Sequence, residues 1–194
     1  MNFIFNEKRS TQAAAFLIAR NDNEMNYMKL IKLLYLADRT ALLRWQQPIT
    51  GDTYYSMSYG PVVSTILDKI SSGPRPCEPG YWSSTIVKST FDSYAVTIVG
   101  AVDQDELSVR ERTLLEEIDN QFKTCTQWDM VDYCHSYLPE WRDPQGSSAL
   151  ITIEDIVKAG NEDASIEEIQ EDLDRIAFNI FIDQKNSELM YEAR

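Results

Sequence analysis

Cys134 and His135 are adjacent, and His135 is the only histidine in the chain. A thiol–imidazole pair does nucleophilic chemistry when the two groups touch and a third group orients the base. Consecutive residues on a helix diverge by about 100°, so these two do not face each other. Cys77 or Cys125 would have to approach His135 from elsewhere, and nothing in the spacing requires it. A structural zinc takes four Cys or His ligands, usually in close pairs. The chain holds three cysteines and one histidine in all, with no C-x-x-C pair. It contains neither a G-x-x-x-x-G-K-[ST] loop nor a G-x-G-x-x-G turn, the two common phosphate cradles. Thirty-one acidic residues would supply a carboxylate pair under any hypothesis, so such a pair carries no information. The expectation is no catalytic residue, no metal and no cofactor, hence no enzyme; a hydrolase using Cys134 or His135 is the outlying reading.

Asp38 raises a different question. It sits on the same stripe as Leu34 and Trp45 in a stretch, residues 26–45, that is apolar almost all round. A carboxylate placed there must be paired or hydrogen-bonded, because an unpaired buried charge is costly. The nearest donors in sequence are the backbone N–H groups around Thr50-Gly51-Asp52, or the start of a helix at Gly60-Pro61. Asp38 therefore reads as an internal anchor, with direct contact to a partner as the other reading.

The elements that would position these residues follow from periodicity and punctuation. Residues 7–20 keep helical spacing through Ala13, Phe16, Leu17 and Arg20. Residues 26–45 form the second helix, expected to be the central buried one. Residues 53–59 alternate and are rich in β-formers, which predicts a short strand. Gly60-Pro61 is read as a helix start, since proline is well tolerated at the first helical position. Residues 72–80 read as a loop, and residues 81–88 and 93–99 as a β-hairpin. Ser108/Glu111 and Ser165/Glu168 match the capping box and predict helices over 108–123 and 165–186. Shorter helices are expected at 126–136 and 152–159. The fold class is mainly α: a compact helical domain with a central apolar helix and a small antiparallel β-hairpin or sheet, one domain over residues 1–194.

The bulk numbers narrow the partners. Net charge is −13, with an isoelectric point near 4.5. Such a surface repels phosphates, so no nucleic acid is expected. No apolar run is long enough for a membrane span. Residues 1–6 are too short and lack the basic start of a signal peptide. Unpatterned cysteines fit a reducing compartment, so the expected location is the cytoplasm. The charge is uneven: residues 1–70 hold eight basic and six acidic residues, residues 71–194 ten and twenty-five.

Three motifs in order carry a resemblance: Lys32-Leu-Leu-Tyr-Leu-Ala-Asp38, then Pro48-Ile-Thr-Gly51-Asp52, then Met57-Ser-Tyr59-Gly60-Pro61-Val62. Together they resemble the Panacea domain of the SocA-like antitoxin family, and the phage-associated GepA-like proteins. Weaker likeness continues through Leu107-Ser108, Glu140-Trp141 and Ile153-Glu154-Asp155-Ile156. The resemblance implies a helical antitoxin of a toxin–antitoxin system, in the setting of phage defence. It would neutralise a cognate protein toxin, encoded by an adjacent gene, through direct binding. The alternative is an adaptor that delivers the toxin, or another partner, to a housekeeping protease. Homo- and hetero-oligomers both remain open. The motif residues Asp38, Gly51, Asp52, Tyr59, Gly60 and Pro61 are expected as family scaffold.

The toxin-binding candidates are Tyr54, Tyr55, Glu162, Asp163, Glu167, Glu171, Asp174 and Phe178. Residues 154–174 hold nine acids and one lysine, which would steer a basic partner. Ile166, Ile169, Leu173, Ile176, Ile180 and Phe181 share one face of the expected helix, with Phe178 and Ile182 widening the stripe. With no disulfide pattern and no ligand set, chelator and reductant are each expected to leave the melting temperature unchanged. A large drop with either, in thermal denaturation, would show a cross-link or metal among the cysteines.

Overall fold

The computed structural model describes residues 2–72 and 80–192. In chain order the elements are α1 (Glu7–Ala19), β1 (Glu24–Asn26), α2 (Tyr27–Trp45), β2 (Tyr54–Met57), β3 (Gly60–Val63), α3 (Ser64–Ser72) and α4 (Tyr81–Thr85). There follow β4 (Ile86–Lys88), β5 (Ala95–Ile98), α5 (Val109–Gln121), α6 (Gln127–Tyr137), β6 (Ala149–Ile151), α7 (Ile153–Gly160) and α8 (Ile166–Glu192). The protein is mainly helical, with two small antiparallel sheets ordered β1-β5-β4 and β3-β2-β6.

Local chemistry sets most helix boundaries. Asn26 caps α2 by accepting from the N–H groups of Met28 and Lys29 at 3.0 and 3.3 Å. The helix ends where Gln46 turns left-handed at φ 55°, two residues before Pro48. Reciprocal capping boxes open α5 (Ser108/Glu111), α6 (Thr126/Asp129) and α7 (Thr152/Asp155). At α8, Ser165 and Glu168 exchange the same pair of bonds, at 2.8 and 3.2 Å. Each box satisfies N–H groups that have no partner within the helix.

Twelve residues of α2 are buried, and the helix touches α1, α3, α5, α6, α7, β1 and β3. Its apolar side chains join one cluster of buried residues that runs from Ala13 on α1 to Ile180 on α8. The charged ends of α2 and α1 are tied to α5: Arg20 reaches Glu116 and buried Asp119, each at 2.9 Å, and Arg44 reaches Glu117 at 2.7 Å.

Two expectations are corrected here. Gly60-Pro61 does not begin a helix. Both residues lie in β3, where Pro61 stands opposite Ser56 and Gly60 opposite Met57, and α3 starts only at Ser64. The predicted strand 81–88 is split: Tyr81–Thr85 makes a helical turn and only Ile86–Lys88 pairs, with Ala95–Ile98. The hydroxyls of Ser83, Ser84 and Thr85 bond back to Gly80 and Tyr81 carbonyls, which favours the turn over an extended run. Of the loop expected at 72–80, residues 73–79, Cys77 included, lie outside the described residues. Strands β1 and β6 are too short to have shown a period.

Gly51 holds φ +67°, and a Cβ there would run into the carbonyl of Ile4. Gly146 also holds a positive φ, +90°, but nothing lies within 4 Å of its would-be Cβ. Gly51→Ala should therefore cost about 2–4 kcal/mol in urea unfolding, strain plus clash, and Gly146→Ala only about 1 kcal/mol. Equal losses would show that the contact between the N-terminal segment and the 50–52 loop contributes nothing.

Candidate functional site

Asp38 has no solvent exposure. Its Oδ1 accepts from the N–H groups of Ile49 and Thr50 at 2.8 and 2.9 Å. Its Oδ2 accepts from the hydroxyl of Thr50 and from Tyr54 Oη, the latter at 3.0 Å. Four donors from one loop and strand thus converge on one carboxylate. They identify the loop around Thr50 as its partner; the alternative at Gly60-Pro61 does not supply a donor. Burial lifts the Asp38 carboxyl to a pKa of about 6, against the opposing pull of these hydrogen bonds.

The loop continues the arrangement. Asp52 N–H donates to Thr50 Oγ1 at 3.1 Å. The Asp52 carboxylate then accepts from Thr65 and Ile66 N–H at 3.0 and 3.1 Å, capping α3 from across the hairpin. The helix expected to start at Gly60-Pro61 thus starts at Ser64, with its first N–H groups held by Asp52 from twelve positions upstream. On the other side, the ring of Tyr54 meets Tyr35 edge-on at 5.5 Å. Tyr35 Oη donates to Glu140 at 2.9 Å, and Arg39 pairs with the same carboxylate at 2.7 Å. Trp141 Nε1 donates to the Met57 carbonyl at 3.0 Å, fastening the 139–142 segment across β2. Burial and the Asp38 charge raise the Tyr54 hydroxyl, and burial and Glu140 raise that of Tyr35, so both remain proton donors.

Lys32, at the head of the first motif, was not singled out as a site residue. It is buried, and its Nζ donates to the Pro61 carbonyl at 2.8 Å. Burial lowers its pKa to about 8. Gly60, at φ +97°, is what lets it in: a Cβ there would come within 3.1–3.2 Å of Lys32 and of Cys134. Cys134 is fully buried in this packing, and burial pushes its thiol up to about 11, away from the thiolate that nucleophilic attack needs. The His135 ring instead stacks on Trp141 at 3.9 Å. Among the described residues no group of three or more His, Cys, Asp or Glu could hold a metal ion. Among them, too, no helix is long and apolar enough to cross a membrane.

The motif residues therefore divide. Asp38, Gly51, Asp52, Gly60 and Pro61 are buried in the scaffold, while Tyr59 is 56% exposed at the hairpin tip, edge-on to Trp128 at 5.7 Å. Tyr54, expected as a surface contact, is buried on Asp38; Tyr55, its neighbour on the opposite face of β2, is half-buried. Glu162, Asp163, Glu167, Glu171, Asp174 and Phe178 are exposed. Phe181 and Ile166, expected to share one face of the helix with Ile169, Leu173, Ile176 and Ile180, are 52% and 83% exposed, while Leu173, Ile176 and Ile180 are buried and Ile169 packs half-buried against the core.

A family model described as antitoxin SocA-like, Panacea domain, matches residues 30–142. No curated protein and no solved structure matches the chain.

Asp38→Ala would strand two backbone N–H groups and two hydroxyls, so urea unfolding should show a loss of about 3 kcal/mol or more. The pH dependence has a definite sign. The folded-state pKa of about 6 lies above the ordinary aspartate value of 3.8. Asp38 thus binds its proton more tightly when folded, a stabilisation present below about pH 4 and lost as pH rises through about 6. Relative to Asp38→Asn, the protein's stability should fall by about 3 kcal/mol between about pH 4 and 7. A difference flat in pH would show that the carboxyl titrates as it does in water.

Proposed function

The chain belongs to the SocA-like antitoxin family, the Panacea domain, and from that premise we propose that it neutralises a protein toxin by binding it directly. The match over residues 30–142 carries the reading. The interior of the motif region supports it. Asp38, Asp52, Lys32 and Glu140 are consumed in holding elements together, which leaves the outer surface as the part able to meet a partner.

On this reading the whole chain, residues 1–194, is one antitoxin domain with α2 as its central helix. The continuous core from Ala13 to Ile180 supports that extent. The partner is a toxin encoded beside this chain. Tyr55 and Tyr59 on the β2–β3 hairpin and the acidic residues from Glu162 onward are its candidate contacts. The binding is non-enzymatic: Cys134 is held as a buried thiol and His135 is engaged with Trp141.

The test is co-expression. The product of the adjacent gene should arrest growth alone, lose that effect with this chain, and co-purify with it. Cys134→Ala should neutralise as well as the wild type once its melting is matched. If the toxin instead disappears, and persists in cells lacking housekeeping proteases, neutralisation runs through degradation and the adaptor reading replaces this one. A chain that neither binds nor protects sinks both.

A further inference from the structure

Helix α8 has two faces with different fates. Leu173, Ile176 and Ile180 are at most 7% exposed and close the core against α7. Polar ties fix the helix further: Asn179 donates to the Gln46 carbonyl at 3.0 Å, and Asp183 accepts from Ile4 N–H at 3.1 Å. The opposite face carries Phe178, Phe181, Ile182 and Leu189, which are 63%, 52%, 40% and 63% exposed. Single exposed apolar residues are ordinary; four large ones along one helix face are the kind of patch that marks a contact surface.

Towards its N-terminus the same face turns acidic. Glu167, Glu171 and Asp174 precede Phe178 at steps of three or four residues, the spacing that keeps side chains on one side of a helix. The basic residues nearby are already engaged: Arg175 with Glu171 and Asp172, Lys185 with Glu188. A second copy of this chain laid parallel on the face would bring like charges together. A basic partner would not, and would gain in association rate from the field. The position in the chain matters as well. The family match ends at residue 142, whereas α8 begins at Ile166. The surface therefore lies outside the part shared across the family, on an element whose outer side chains can change without disturbing the Asp38 interior.

We propose that the outer face of α8 is the surface by which this chain selects its toxin, and that it fits a basic protein seating an apolar contact on Phe178 and Phe181 beside the carboxylates. The proposal rests on the antitoxin reading and adds where recognition lies.

The probe is the product of the adjacent gene, with full-length variants whose melting is measured first. Phe178→Ser with Phe181→Ser should melt as the wild type does and bind about 30-fold more weakly or worse, the loss expected of central aromatic anchors. Glu167→Gln, Glu171→Gln and Asp174→Asn together should slow association and flatten its dependence on salt. Should the aromatic pair lower the melting temperature, the acidic set decides, since exposed charges contribute little to folding. Wild-type affinity, association rate and salt dependence in the decisive variants would overturn the proposal while leaving the antitoxin reading intact. So would a wild-type dimer that the phenylalanine substitutions dissociate, since a second copy would then occupy the face. A wild-type chain that fails to neutralise the probe at all removes the antitoxin reading, and this proposal with it.

Discussion

A carboxylate with no access to water must find its hydrogen bonds inside the protein, and at Asp38 that requirement organises what surrounds it. The donors come from Ile49, Thr50 and Tyr54, so the chain leaving α2 has to fold back over the helix it has just left. Once Thr50 is held, its hydroxyl also receives Asp52 N–H, and Asp52 is left pointing at the first turn of α3. One buried charge thus sets the loop, and the loop sets the next helix. Tyr54 extends the arrangement sideways through Tyr35 to Glu140 and Arg39, so α2, β2 and the 139–142 segment share a single polar interior. A polar interior of this kind is favourable only when complete, because each missing partner leaves another group unsatisfied.

That Asp38 is an anchor could be read directly from residue type and spacing, because its position on an apolar stripe leaves few alternatives. The sequence left two sources for its donors, the loop around Thr50-Gly51-Asp52 and the start of a helix at Gly60-Pro61, and the fold uses the first. The error at Gly60-Pro61 has a physical source. Proline suits both the first turn of a helix and a strand position where no ladder N–H is needed, and the local sequence does not separate the two. What decides is the pairing of β3 with β2, a contact made after the turn at Ser58-Tyr59. The same holds for Tyr54: alternation placed it in a strand, but which face of that strand is buried depends on Asp38, which lies in a different element.

Helix boundaries were more legible, since caps are local. Ser108/Glu111 and Ser165/Glu168 sit where the helices begin, and Thr126/Asp129 and Thr152/Asp155 do the same with the shorter acid. The width of an apolar face was legible on α8, but the division of that face was not. Periodicity puts Ile166, Phe181 and Ile176 near one stripe; only the position of α7 and of the Gln46 carbonyl determines that Ile176 turns inward and Phe181 outward.

Lys32 shows why the buried polar groups and the outer surface do different work. Its ammonium is buried with the Pro61 carbonyl as acceptor, and the depressed pKa records the cost of keeping it there. Gly60 is required to make the space, and Cys134 is packed against the result, so a change at any of the three is felt by the others. A binding surface that must accommodate a particular partner cannot be built from residues so constrained, since each adjustment would be opposed by the interior. Exposed positions on Tyr59, Trp128 and the outer side of α8 carry no such obligation. Substitutions at those positions leave the polar interior untouched, so a contact surface built there can change without cost to the scaffold.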